Sequence, residues 1–138
     1  MMREIRDISA DEVMEKKVVT ISPKTTVKEL KDLFEKYDYN SFPVVENGKL
    51  VGIVSKLDFL KIFTMGTHFS RSDYWELFAE KVGEVMRRAI ISIEPDDNLR
   101  KVVEYMVEFN LRSLPVAEGD QLVGIISRKD VMSHLLLD

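Results

Sequence analysis

Gly52-Ile53-Val54-Ser55-Lys56-Leu57-Asp58 decides the reading of this chain, because the chain carries it twice: Gly124-Ile125-Ile126-Ser127-Arg128-Lys129-Asp130 stands 72 positions further on. Each copy is a glycine, two β-branched residues, a serine, two spacers and an aspartate. A Leu-Val pair precedes both, Leu50-Val51 and Leu122-Val123.

The same shift of 72 aligns residues 13–66 with 85–138 without a gap, the signature of an internal duplication. Val13-Met14 falls on Val85-Met86, Ile21 on Ile93, and Pro23 on Pro95. Ser41, Pro43, Val44 and Glu46 fall on Ser113, Pro115, Val116 and Glu118. Each repeat reads helix, strand, helix, strand, strand, helix. Ser9-Ala10-Asp11-Glu12 is a capping box opening a short helix through Met14, and Thr26-Val27-Lys28-Glu29 is a second. Val27, Leu30, Leu33, Phe34 and Tyr37 follow the latter at helical spacing. Val18 to Ile21 and Ile90 to Ile93 read as strands, and Phe42 to Val45 and Leu114 to Ala117 as strands tolerating an early proline. Asn47-Gly48 suits the positive φ of a type I′ hairpin, with Gly119-Asp120 as the second turn. A helix is expected from about Asn98 to Phe109, and a last one running to Leu137. Between the repeats, residues 66–71 read as a loop and 73–79 as a helix whose Trp75 and Phe78 are expected to pack on the body of the fold. The expected division is 1–66, a linker over 67–83, and 84–138.

At 138 residues, 45% hydrophobic, the chain can bury a core without covalent staples, and it has no cysteine to make one. No apolar run reaches membrane-spanning length, and residues 1–7 lack the apolar segment of a signal peptide, so a cytoplasmic location is expected. The net charge is −4, with no basic stripe interleaved with aromatics, which disfavours nucleic acid. Catalysis finds little support. His68 and His134 are the only histidines, and no Cys nucleophile, nucleophile elbow, Walker loop or G-x-G-x-x-G occurs. Neither a metal nor a catalytic cofactor is expected.

Ser55 and Asp58, and Ser127 and Asp130, sit where a strand passes into a helix N-terminus, a place that favours anions. The aspartate could accept both hydrogen bonds of a ribose diol, and the serine could donate to a phosphate or ribose oxygen. S-x-x-D is equally a capping box, in which case both residues only start the helix.

The ordered, duplicated set (the V-M start, the S-x-P-V strand, the hairpin and the closing G-h-h-S-x-x-D) resembles the CBS (cystathionine-β-synthase) domain, paired as in a Bateman module. The resemblance runs from Val13 to Asp138, and with no further domain flanking the pair a stand-alone member is expected. It implies an α/β (α+β) fold of two pseudo-twofold-related units, each a small three-stranded sheet with flanking helices, and clefts between them. It also implies an adenosine-containing regulatory ligand (AMP, ADP, ATP, with Mg²⁺ accompanying ATP, or S-adenosylmethionine), a homodimer through helices near both repeat ends, and an effector protein that reads occupancy. By the family pattern the adenine contacts fall on Val18 to Thr20, on Ile90 to Ser92, and on the segments Asn40-Ser41-Phe42-Pro43 and Arg112-Ser113-Leu114-Pro115. Phosphates need cations: Lys56, Arg112, Arg128 and Lys129 lie in or beside the motifs, and Arg87-Arg88 follows the second Val-Met. Arg112 and Arg128 lead, because guanidinium matches phosphate geometry. The first repeat has Asn40 and Lys56 at those places, so the two sites are expected to differ in their preference for charged ligands. The alternative is a ligand-free dimerisation scaffold using Phe59, Ile62, Phe63, Met65 and Leu135 to Leu137.

Overall fold

The computed structural model describes residues 3–64 and 71–135. In chain order, after a short 3₁₀ turn at Ile5–Asp7, the elements are α1 (Ala10–Val13), α2 (Val27–Lys36), β1 (Ser41–Glu46), β2 (Lys49–Ser55), α3 (Lys56–Ile62), α4 (Arg71–Ala79), α5 (Val82–Val85), α6 (Leu99–Glu108), β3 (Ser113–Glu118), β4 (Gln121–Ser127) and α7 (Arg128–Leu135). They form two compact units. One is continuous, residues 19–90; the other joins residues 1–18 to 91–138. The units are therefore not the repeats as the alignment divides them, because each is closed by the Val-Met segment of the other repeat.

In the continuous unit, α2 starts where Thr26 Oγ1 accepts the Glu29 N–H at 3.1 Å and Glu29 accepts the Thr26 N–H at 3.0 Å. The Thr26 N–H and then its hydroxyl, both donating to Glu29 Oε1, hold the Glu29 carboxyl below its usual pKa. Asn47 (φ 53°) and Gly48 (φ 79°) make the type I′ turn between β1 and β2. Val44 faces Gly52 but Val45 faces Leu50, so Val51 is the extra residue of a bulge. Ile21, Leu30, Phe42, Val44, Val54 and Val82 form the core, with Phe34, Tyr37, Phe59 and Met86 packed against it.

The discontinuous unit repeats this plan. Asn98 caps α6 by accepting the Lys101 N–H at 3.0 Å. The β3–β4 hairpin bulges at Val123, since Val116 faces Gly124 and Ala117 faces Leu122. Its turn has positive φ only at Gly119 (61°), the type II′ form. Ile8, Ala10 and Val13 from the N-terminal segment join Ile93, Leu99, Val102, Leu114, Val116, Ile126 and Val131 in one core.

Two expectations need correcting. The first strand of each repeat is reduced to one parallel bridge, Ile21 to Val44 and Ile93 to Val116. Ile21 donates to the Pro43 carbonyl (3.0 Å) and accepts from Val45 N–H (2.8 Å). The next bonds either way would need an N–H from Pro43 or Pro23, and neither has one. Trp75 is 67% exposed rather than packed. α4 is held near its C-terminal end instead, where Phe78 meets Phe63 at 5.6 Å and the Glu80 carbonyl accepts the Val27 N–H at 2.9 Å. Of the loop expected over 66–71, Arg71 instead begins α4, while residues 66–70, with Met65 and the end of the last helix at Leu136-Leu137, lie outside the described residues.

At the N-terminal edge, Arg3 grips Glu12 at 2.7 Å and, with the Ser9 N–H, draws the Glu12 carboxyl from 4.5 to about 2. A depressed carboxyl pKa contributes stability above the ordinary value, and that contribution is lost as pH falls through the lowered one. Glu12→Gln is therefore expected to cost stability at neutral pH and to converge on the wild type as pH approaches about 2. The difference is small, since both side chains are nearly half exposed and salt screens them. Thermal melts of the two proteins across acid pH read it; a gap that persists at the lowest pH refutes it.

Candidate ligand site at the duplicated motif

β2 ends at Ser55 in extended backbone (φ −93°, ψ 167°), and α3 begins at the next residue. The Asp58 N–H donates to Ser55 Oγ at 3.0 Å, and the Ser55 N–H donates to Asp58 Oδ2 at 2.9 Å. Ser127 and Asp130 reproduce both bonds at the start of α7, at 3.1 and 2.9 Å. The capping box is thus formed in both copies. It consumes one lone pair of each serine oxygen and one of each carboxylate, and leaves the serine hydroxyl hydrogen to donate elsewhere.

The segments expected to flank the motif do lie beside it. Ser41 pairs with Ser55 and Ser113 with Ser127 in the hairpin register. The main chain adds Lys56 N–H to Asn40 carbonyl (2.9 Å) and Arg128 N–H to Arg112 carbonyl (3.0 Å). Beyond those serines the side chains turn to the core. Phe42 and Leu114 are 0% exposed, and Pro43 and Pro115 are buried, so these four have only main chain to offer a ligand. Val18 and Ile90 are half-buried, while Thr20 and Ser92 are exposed. Val18 and Ser92 belong to the discontinuous unit, Thr20 and Ile90 to the continuous one.

The cations divide unexpectedly. Lys56, Arg112 and Lys129 are exposed. Arg128, a leading phosphate candidate, turns onto its own unit: Nε donates to the Leu111 carbonyl at 2.8 Å and Nη2 to Asn110 Oδ1 at 3.2 Å. These bonds brace the turn after α6, where Asn110 holds a left-handed φ of 53°. Among the described residues, Arg87 is the cation that reaches a motif carboxylate. Ile53 and Arg87 exchange two main-chain hydrogen bonds of 3.0 Å, and the guanidinium then donates to Asp58 Oδ1 from Nε (3.2 Å) and Nη2 (3.1 Å). By sequence Arg87 reads with Arg88 as a phosphate cation; the pairing with Asp58 carries no sequence signal, because 29 positions separate the two.

Comparison with known proteins agrees with this architecture. A CBS domain family model matches residues 6–64 and 82–137, and the chain belongs to that family. An uncharacterized protein of Methanocaldococcus jannaschii is 41% identical over 128 residues, covering 91% of this chain and 43% of its own length. The chain spans less than half of each of the first three curated relatives that it matches. Among solved structures, a putative acetoin utilization protein (AcuB) from Vibrio cholerae superimposes with a TM-score of 0.79 at 29% identity, over 96% of this chain and 90% of that one. CBSX2 in complex with AMP gives a TM-score of 0.78 at 22% identity, over 91% and 94% of the two chains, a likeness of fold. Among the described residues no helix is long and apolar enough to cross a membrane.

Proposed function

We propose that this chain is a regulatory module that binds an adenosine-containing ligand at its G-h-h-S-x-x-D motifs and passes occupancy to a partner protein. One observation carries the reading. Asp130 keeps Oδ2 on the Ser127 N–H, while its Oδ1 has no hydrogen-bond partner among the described residues. A carboxylate so held is oriented, yet retains the acceptors that a ribose diol needs. The fold is one seen elsewhere in complex with AMP, which supports the ligand class. A signal follows only if the ligand prefers one arrangement of the protein over another.

Calorimetry with AMP, ATP and S-adenosylmethionine tests this on the wild type and on Asp130→Asn. The amide can still accept the Ser127 N–H but presents a donor in place of the second acceptor. Loss of charge-assisted hydrogen bonds of about 1.5–3 kcal/mol predicts weakening of roughly 10- to 100-fold. No binding by the wild type at millimolar ligand overturns the proposal.

A second reading, a self-assembling scaffold without a physiological ligand, draws on exposed apolar side chains: Leu57 and Leu60 on α3 (both 58%), and Met132 (64%) and Leu135 (45%) on α7. These replace most of the expected set. Ile62 is buried at 4%, and Phe59 and Phe63 meet edge to face at 5.3 Å. A dimer in sedimentation whose melting temperature ignores every nucleotide would favour it; a monomer at micromolar concentration would remove it.

A further inference from the structure

The two copies of the motif differ in what already occupies the aspartate. A carboxylate offers roughly four lone-pair positions. At Asp58 the Ser55 N–H takes one and the Arg87 guanidinium takes two, both on Oδ1. The side chain is only 11% exposed, so the remaining position is poorly accessible. A diol donating two hydrogen bonds is one acceptor short. At Asp130 only the Ser127 N–H is engaged among the described residues. The position that aligns with Arg87 is Glu15, which has no donor to give and itself accepts the Lys17 N–H at 3.2 Å.

We infer that Arg87 fills the Asp58 copy from within, so that the chain takes one adenosine ligand, at Asp130. The inference rests on the ligand role proposed above and settles its stoichiometry. Asp58 is thereby a structural anchor: through Arg87 it ties the start of α3 to the segment following α5, beside the main-chain bridge to Ile53. A single arginine-for-glutamate difference between the repeats makes two matching motifs inequivalent.

Adenosine is the decisive probe. It is uncharged, so removing a cation leaves no direct Coulomb effect on its binding. By calorimetry the wild type is expected to bind one adenosine per chain and Arg87→Ala two, the new site within about tenfold of the first. Arg87 is 53% exposed and its two main-chain bonds to Ile53 survive the truncation, so Arg87→Ala is expected to remain folded with some loss of stability, which a thermal melt checks. Arg88→Ala removes the same charge one residue away, from a guanidinium that donates to the Gly83 carbonyl at 2.9 Å, and is expected to leave one site. Asp130→Asn is expected to weaken the single wild-type adenosine site roughly 10- to 100-fold and, beside Arg87→Ala, to leave the newly opened site at its own affinity. A stoichiometry of one in both wild type and Arg87→Ala overturns the inference while leaving the role of Asp130 standing. Two sites in the wild type overturn it likewise. Absence of adenosine binding to every protein overturns the inference, and the ligand role itself falls with it where AMP, ATP and S-adenosylmethionine also fail to bind the wild type.

Discussion

Phe42→Ala is expected to destabilise the protein by about 3–5 kcal/mol, the range for deleting a buried aromatic ring. Phe42 is 0% exposed, and its ring lies 4.9 Å from Phe34, 5.8 Å from Tyr39 and 6.4 Å from Tyr37. These tilted and edge contacts add to the transfer energy, and the surrounding structure relaxes only partly around the space left. The loss is a large share of the stability of a chain this size, so Phe42→Leu serves as the measurable companion with a smaller loss. Urea denaturation at neutral pH reads both. A cost below about 1 kcal/mol for the alanine variant would show that this ring does not hold the core. The outcome bears on function as well, because the family pattern places Phe42 among the ligand contacts. Any effect of its side chain on binding runs through folding.

The double variant Gly52→Ala/Gly124→Ala is expected to lose about 2–6 kcal/mol, about 1–3 at each site. A methyl group at Gly52 would stand 2.4 Å from Met86 Sδ and 3.0 Å from the Arg87 carbonyl. At Gly124 it would meet Met14 Sδ at 2.5 Å and the Glu15 carbonyl at 3.1 Å. The thioether can move; the carbonyls cannot without breaking the bridges Ile53–Arg87 and Glu15–Ile125. Glycine opens the motif because a methionine lies on it, not because the backbone there needs a positive φ, since neither glycine has one. Restoring space with Met14→Ala and Met86→Ala is expected to recover part of the loss, a coupling that a double-mutant cycle isolates. Full additivity would refute the packing account.

Much of this was legible in the chain itself. The 72-residue shift, the capping boxes at Thr26 and Ser55, and the Asn47-Gly48 turn are local patterns, and local chemistry decides them. What escaped sequence reading depends on partners distant along the chain. The alignment assigns Val13-Met14 to the first repeat, yet Met14 seats on Gly124 of the second. The strand expected over Val18 to Ile21 shrinks to one bridge because Pro43, far along the chain, withholds an N–H. Arg128 suits phosphate by type, but Leu111 and Asn110 claim its guanidinium first. At the proposed site, residue types and their spacing singled out the serines and aspartates as candidates; what distinguishes their two carboxylates is Arg87, which the spacing does not reveal.

The crossed assembly of the units also orders events at the ribosome. Residues 19–90 hold every partner their core requires before the second hairpin is translated. Ile8, Ala10 and Val13 are translated ahead of that span but must wait for Leu114, Ile126 and Val131, on the order of ten seconds at common synthesis rates. The span 19–90 is thereby expected to close before the unit that joins 1–18 to 91–138.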